Sequence, residues 1–191
     1  DCLRTLAAFQ GLGVEIRREK ESLNISGVGI QGLTEPKDVI DLGNSGTALR
    51  LLTGLLAGQE FFSVLTGDNS LRQRPMRRVV EPLREMGALI FGREGGGLAP
   101  VAILGRPLSA IHYNMPIPSA QVKSALLLAG LYANGKTTIH EPAKSRDHTE
   151  RLLRFLGVEV EEQGLAVSVK GPAVLQGREV HVPGDLSSAA F

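Results

Sequence analysis

Three glycines set the frame of this chain. Gly13, Gly87 and Gly157 stand at near-equal intervals, each between an amphipathic helical run ending in Leu or Met (3–12, 79–86, 149–156) and a short alternating run (14–16, 88–90, 158–160). Glycine just after the last helical leucine is the expected C-cap, because that site favours positive φ, and the alternation beyond it reads as a half-buried strand. One such match means little. Three at near-constant spacing predict a repeated unit.

A second element recurs between those glycines. Asn44-Ser45-Gly46-Thr47 opens one apolar run, Pro118-Ser119-Ala120-Gln121 opens another, and the step from Ser45 to Ser119 equals the step from Gly13 to Gly87. Both runs are apolar nearly all round past their first turn, so each is expected to be a buried helix exposing only its N-terminal end. A third copy is expected to start at Gly184-Asp185-Leu186-Ser187-Ser188 and to stop at Phe191. With a start at Asp1 already inside a helical pattern, the chain therefore reads as a piece of something longer.

Each unit reads strand, buried helix, strand, amphipathic helix, strand, strand. The expected fold is α/β, with βαβαββ units around buried parallel helices in pseudo-threefold arrangement, one unit whole and two nearly so. Strands are expected at 61–65, 88–91, 101–104, 137–140, 158–161, 166–169 and 180–182, and hairpins join 14–18 to 23–26 and 158–161 to 166–169. Pro75 would open the middle amphipathic helix, which leaves Pro82 inside it; a kink or a later start resolves the conflict.

Composition narrows the function classes. With 42% hydrophobic and 21% charged residues over 191 positions, the chain is an ordinary globular protein, not a disordered one. Twenty-one Lys and Arg against 20 Asp and Glu give a net charge of +1, so no global field holds nucleic acid or an acidic membrane, and any anion site is local. A single cysteine, Cys2, excludes an intrachain disulfide framework and suits a reducing compartment. No apolar run approaches the roughly 20 residues of a membrane span, and the start is unlike a signal peptide, so a cytoplasmic location is expected. His112, His140, His148 and His181 show no metal-ligand spacing, and no metal site is expected. Gly95-Gly96-Gly97 reads as a turn between strands.

The chemistry that remains is anion binding. A helix N-terminus carries about +0.5 of an elementary charge and free N–H donors, which suits phosphate or carboxylate. Gly46 would let a ligand approach the backbone, with Asn44 or Ser45 as the cap. Ser119 and Gln121 stand in the matching place; a plain N-cap needs no ligand at either site. Arg72, Arg74, Arg77 and Arg78 fall close together in one short segment. Guanidinium groups bind carboxylate and phosphate through paired bonds worth about 1.5–3 kcal/mol each, although most arginine clusters are solvated faces. No aromatic lies between Phe62 and Phe91 to stack bases, which argues against nucleic acid. Arg146 precedes a helix start that resembles a capping box, Asp147 at the N-cap and Glu150 at N3. A cation there is unfavourable unless an anion joins it.

Taken together, residues 42–50, Arg74-Pro75-Met76, residues 118–125 and residues 145–150 resemble the 5-enolpyruvylshikimate-3-phosphate synthase family, and the resemblance runs end to end. It implies a domain of three βαβαββ units over residues 1–182, its first unit incomplete, with 183–191 starting the crossover to a second domain of the same enzyme. It also implies enolpyruvyl transfer from phosphoenolpyruvate to the 5-hydroxyl of shikimate 3-phosphate, with release of phosphate and no metal or organic cofactor. The partners implied are these two small anions and the second domain, with no nucleic acid and no membrane. Carried over by motif, Ser119, Ala120 and Gln121 would hold shikimate 3-phosphate and Arg146 its phosphate. Gly46, Arg74 and Gln121 would hold phosphoenolpyruvate. Asn44, Thr47 and Arg50 would shape the loop. The family's Lys-Ser-x-Ser-x-x-Arg segment, with its catalytic lysine, would precede Asp1. No catalytic residue is therefore assigned here, and the chain alone is expected to bind weakly and be inactive. Ser70 stands where one branch of the family has an arginine for phosphoenolpyruvate, while Arg74 matches the branch that includes glyphosate-insensitive members. Gly46 lacks the alanine that narrows the glyphosate pocket in some of those.

Two other readings stay open at this point. UDP-N-acetylglucosamine enolpyruvyl transferases share the fold and chemistry but usually carry a loop cysteine mid-domain, whereas the only thiol here is Cys2. A non-catalytic or RNA-processing domain of the RNA 3′-phosphate cyclase type would use the same repeat, and the lack of stacking aromatics argues against it.

Overall fold

A computed structural model describes residues 2–20 and 22–182. The expected third helix start at Gly184 and the expected crossover over 183–191 lie outside them. The order begins α1 (Cys2–Gly11), β1 (Glu15–Glu19), β2 (Ser22–Ser26), the last three elements of one unit. Two whole units follow: β3 (Ile40–Asp41), α2 (Gly46–Ala57), β4 (Phe62–Thr66), α3 (Arg77–Glu85), β5 (Leu89–Gly92), a one-turn α4 (Arg93–Gly96), β6 (Leu98–Leu104); then β7 (His112–Asn114), α5 (Ala120–Gly130), β8 (Gly135–His140), α6 (His148–Phe155), β9 (Val160–Gln163), β10 (Ala166–Gly171). The described residues thus hold two complete units and the end of another, rather than one whole unit and two nearly whole ones.

The two units repeat one topology. Their sheets run β3-β4-β6-β5 and β7-β8-β10-β9, and in each the first pair is parallel and the rest antiparallel. The glycine rule holds at all three sites: Gly13, Gly87 and Gly157 have φ of +87°, +107° and +86°, so each ends its helix in the left-handed region.

The core lies between α2 and α5. Leu49, Leu52 and Leu56 of the one and Val122, Leu126 and Leu127 of the other are buried in a single apolar cluster. The helices run alongside in the same direction. Thr47 touches Gln121 near their starts, a Cβ on Gly54 would stand 2.2 Å from the Ala125 carbonyl oxygen, and one on Gly58 would stand 2.6 Å from Tyr132 past their ends. Gly54 is therefore a packing glycine, since any side chain there forces the two backbones apart.

Several expectations need correction. The segment 180–182 is not a strand: Val180 and Val182 are exposed and unpaired by any described strand. β3 and β7, the strands expected before each buried helix but given no range, are very short and defined only by parallel pairing with β4 and β8. α3 opens at Arg77, with Met76 at its N-cap, rather than at Pro75, and this later start still leaves Pro82 inside the helix. The capping box before α6 does not form: Asp147 makes no side-chain cap bond, and Glu150 turns inward to Lys123 at 2.6 Å. Gly95 and Gly96 do form a turn between β5 and β6.

Candidate functional site

α2 and α5 begin in the same way for the same local reason. Ser45 and Ser119 take extended backbone at the N-cap, and each hydroxyl accepts from the N–H one turn on, Ala48 to Ser45 at 3.3 Å and Val122 to Ser119 at 3.4 Å. Ser45, not Asn44, is thus the cap of α2. The second residues of the two helices meet, Gln121 Nε2 donating to Thr47 Oγ1 at 2.8 Å. Two positive helix ends therefore open side by side.

Arginines tie this face together. Arg50 Nη1 donates to Gln121 Oε1 at 2.9 Å and to the Gly46 carbonyl at 3.1 Å, while its Nη2 donates to the Pro75 carbonyl at 3.2 Å. One guanidinium thus fastens α2, α5 and the segment entering α3. Arg74 donates to Asn44 Oδ1, Asn44 Nδ2 donates to Asp68 Oδ2 at 2.7 Å, and the Leu71 N–H donates to Asp68 Oδ1 at 2.7 Å. Glycine at 46 permits the approach, because a Cβ there would stand 2.7 Å from Arg74 Nη1 and 3.0 Å from Arg50 Nη1.

The electrostatics suit an anion. Burial, then the like charges of Arg78 and Arg74, push the Arg50 pKa down from its ordinary value. Three guanidinium groups repel one another beside a positive helix end, a strain that a bound anion relieves. The hydrogen bond from Asn44, then that from Leu71, holds the Asp68 carboxyl below the usual aspartate range.

Arg146 comes from the segment between β8 and α6. With Thr47, Ala120, Gln121 and His148 it lines a shallow depression of about 200 Å³. Leu51, Ser124 and Thr149 complete its wall, the Ser124 and Thr149 hydroxyl oxygens being 2.6 Å apart. Larger hollows of about 450 and 580 Å³ lie by Gln59 and Tyr132, and between α1 and residues 34–41. Charge rather than volume decides between them: neither joins a capped helix start to several arginines.

All the residues singled out for substrates, Gly46, Arg74, Ser119, Ala120, Gln121 and Arg146, thus stand at or beside the two helix starts. Two of the other cluster arginines are spent elsewhere: Arg72 donates to Asn69, and Arg77 pairs with Glu81 at 3.5 Å and donates to the Glu94 carbonyl at 3.1 Å, while the charge of Arg78 acts on Arg50. Arg50 was expected only to shape its loop, and its bridge between helices has no local sequence signal. Lys123 carries one sequence signal of its own. It is the one charged residue in the apolar run of α5, and there it is buried, bonded to Glu141 at 2.7 Å and Glu150 at 2.6 Å.

Comparison with known proteins gives the chain a family. The EPSP synthase (3-phosphoshikimate 1-carboxyvinyltransferase) family profile matches residues 1–191. A 3-phosphoshikimate 1-carboxyvinyltransferase of Geotalea uraniireducens is 59% identical over 191 residues, all of this chain and 44% of the relative. That of Geobacter sulfurreducens is 58% identical over the same coverage. A solved EPSP synthase from Acinetobacter baumannii superposes with a TM-score of 0.93 at 49% identity, over 98% of this chain and 43% of its own. The chain spans less than half the length of the relatives it matches. Over that span, the profile match, the sequence identity and the superposition place this chain in the EPSP synthase family.

Proposed function

We propose that this chain supplies one wall of an active site that transfers the enolpyruvyl group of phosphoenolpyruvate to the 5-hydroxyl of shikimate 3-phosphate and releases phosphate. The observation that carries the reading is the pair of serine-capped helix starts joined through Thr47, Gln121 and Arg50, with Arg74 on one side and Arg146 on the other. Both substrates are multiply anionic, and each helix start has an arginine delivered by the loop that follows the second strand of its unit. Addition of the hydroxyl and elimination of phosphate then depend chiefly on charge-matched positioning.

In this reading Ser119, Ala120 and Gln121 hold shikimate 3-phosphate, with Arg146 on its phosphate. Gly46 N–H, Arg74 and Gln121 hold phosphoenolpyruvate. Gln121 is common to both sets and is itself fixed by Arg50 and Thr47, so one amide sets the two substrates against each other. A second domain closes over this wall, expels water and brings the groups that move protons. The exposed free thiol of Cys2 suits the cytoplasm, and no helix among the described residues is long and apolar enough to cross a membrane.

Titration of shikimate 3-phosphate into the chain, followed through backbone amide signals, is expected to shift Ser119, Gln121 and Arg146, weakly because one wall acts alone. Shifts at those residues with UDP-N-acetylglucosamine and none with shikimate 3-phosphate would overturn the assignment.

A further inference from the structure

Lys123, Glu141 and Glu150 form an ion cluster under the α5 helix start. The side chains are 2%, 6% and 3% exposed, and one ammonium bonds both carboxylates at 2.7 and 2.6 Å. The Glu141 and Glu150 side chains each keep one buried oxygen without a partner. One positive and two negative charges, incompletely bonded, are a costly way to fill a core. Apolar residues of similar volume commonly do as well or better.

The neighbouring unit shows that the fold does not require charge there. Counting from the serine caps, Lys123 corresponds to Leu49, which is fully buried in the apolar core. The ion cluster of α5 therefore has a role that α2 does without. Its carboxylates indicate what that is. Glu141 follows β8 directly, and Glu150 lies in the first turn of α6, so the two bracket residues 142–149. Arg146 sits inside that bracket, exposed, and no described residue accepts a hydrogen bond from its guanidinium. Its place depends on its backbone, and its backbone on the bracket.

We propose that Lys123 is a positioning residue: by binding Glu141 and Glu150 on one ammonium, it holds the segment carrying Arg146 against the start of α5, where shikimate 3-phosphate binds. The proposal rests on the substrate reading above. The cluster is suited to act as a fixed brace. Burial alone would lower the Lys123 pKa, but the hydrogen bonds to Glu141 and Glu150 and their negative charges outweigh it and raise the pKa above that of an ordinary lysine. The ammonium therefore stays charged throughout the neutral range. The Ser124–Thr149 contact at 2.6 Å runs alongside and ties the same two helices.

The test uses the 191-residue chain, Lys123→Met, Lys123→Arg and Glu141→Ala. Lys123→Met leaves two unpaired buried carboxylates and is at risk of not folding; Glu141→Ala leaves a neutral Lys123–Glu150 pair and keeps the core intact. Backbone 15N order parameters of residues 142–147 and titrations with shikimate 3-phosphate and with phosphoenolpyruvate are the readouts. In Glu141→Ala, and in Lys123→Met where it folds, those order parameters are expected to fall. Affinity for shikimate 3-phosphate should drop by about tenfold to a hundredfold, the worth of one charge-assisted contact. Phosphoenolpyruvate shifts at Gly46 and Arg74 should stay as in the parent. Lys123→Arg, which keeps two donors to the carboxylates, should restore much of the order. An unchanged 142–147 segment in Glu141→Ala overturns the positioning role. So does an equal loss of both ligands, the mark of general damage. A parent chain that answers phosphoenolpyruvate but not shikimate 3-phosphate overturns the substrate reading instead, and the order parameters still decide whether the brace exists.

Discussion

The two complete units solve one problem with opposite electrostatics. Both present a serine-capped helix start and deliver an arginine from the following loop, Arg74 in one and Arg146 in the other. In the α2 unit the charges lie on the surface: Arg74 rests on Asn44, which leans on the exposed Asp68, while Leu49 fills the core beneath. In the α5 unit the charges lie inside: Arg146 is free at the surface, and its segment is braced from below by Lys123 and two glutamates. One topology thus accepts either an apolar or an ionic plug at the same helical position. What differs is whether the site arginine is held by its own side chain or through its backbone.

The strongest way to break this comparison is to exchange the plugs. Leu49→Lys removes apolar burial worth about 2–5 kcal/mol and adds a desolvated ammonium, a penalty of several kcal/mol more, while the buried carboxylates among the described residues, Glu141 and Glu150, are already bonded to Lys123. Together these rival the whole stability of a domain, about 5–15 kcal/mol. The variant is expected to lose its cooperative thermal transition. The reciprocal triple change, Lys123→Leu with Glu141→Leu and Glu150→Leu, should fold with an unchanged or higher Tm, since apolar replacement of a buried ion cluster is neutral or stabilising by about 1–4 kcal/mol. Calorimetry on both checks the pair. A near-parental Tm for Leu49→Lys would mean that the two plugs are not in equivalent surroundings.

A smaller effect, confined to binding, is expected from Gly46→Ala. The added methyl meets Arg74 Nη1 at 2.7 Å, the flexible end of a side chain that can move without disturbing the backbone, and Arg50 Nη1 at 3.0 Å, which need give only slightly. Stability should change by less than about 1 kcal/mol, alanine being the better helix former. The displaced guanidinium, however, should weaken phosphoenolpyruvate binding by about tenfold, the lower worth of a charge-assisted bond. Shikimate 3-phosphate binding should change less, because Arg146 belongs to the other unit. Isothermal titration with each ligand separates the two. Equal losses would show that the helix starts respond as one site rather than two.

How far the sequence carried this picture depends on how local each signal is. The glycine C-caps and the two buried helices were legible because a left-handed residue and an all-round apolar run are properties of a few consecutive residues. The positions of β3 and β7 were not, since so short a strand in parallel pairing owes its state to a partner on the far side of an intervening helix. The alternation at Val180 and Val182 misled for the converse reason, a strand pattern with no described strand beside it. Glu150 fitted a capping box, and the local bond lost to an ammonium on α5, a different helix. The site fared likewise. The motifs of Ser119, Gln121, Gly46 and Arg74 sufficed to put them at helix starts, but the bridge from Arg50 to Gln121 joins two separate units and shows only in three dimensions.

The smallest expected effect probes the exposed side of the comparison. Asn44 and the Leu71 N–H hold the Asp68 carboxyl below its usual range, so the folded state favours the charged form, and Asp68 stabilises the Asn44–Arg74 arrangement at every pH above the ordinary aspartate value of about 3.9. That contribution is lost as the pH falls through the lowered pKa. Neutral pH should therefore show no dependence at all. Below about pH 4 the Asn44 side-chain amide signals should move together with the Asp68 carboxyl resonance, and Asp68→Asn should abolish the coupled change. Because Asp68 lies at the surface, water replaces its bonds readily, and Tm should fall only slightly across the same window. The Arg146 amide, braced by a cluster in which Asp68 takes no part, should not follow the Asp68 titration. An Arg146 signal that tracked Asp68 would show that the two units share one electrostatic support, and the contrast between a surface-held and a core-held arginine would no longer stand.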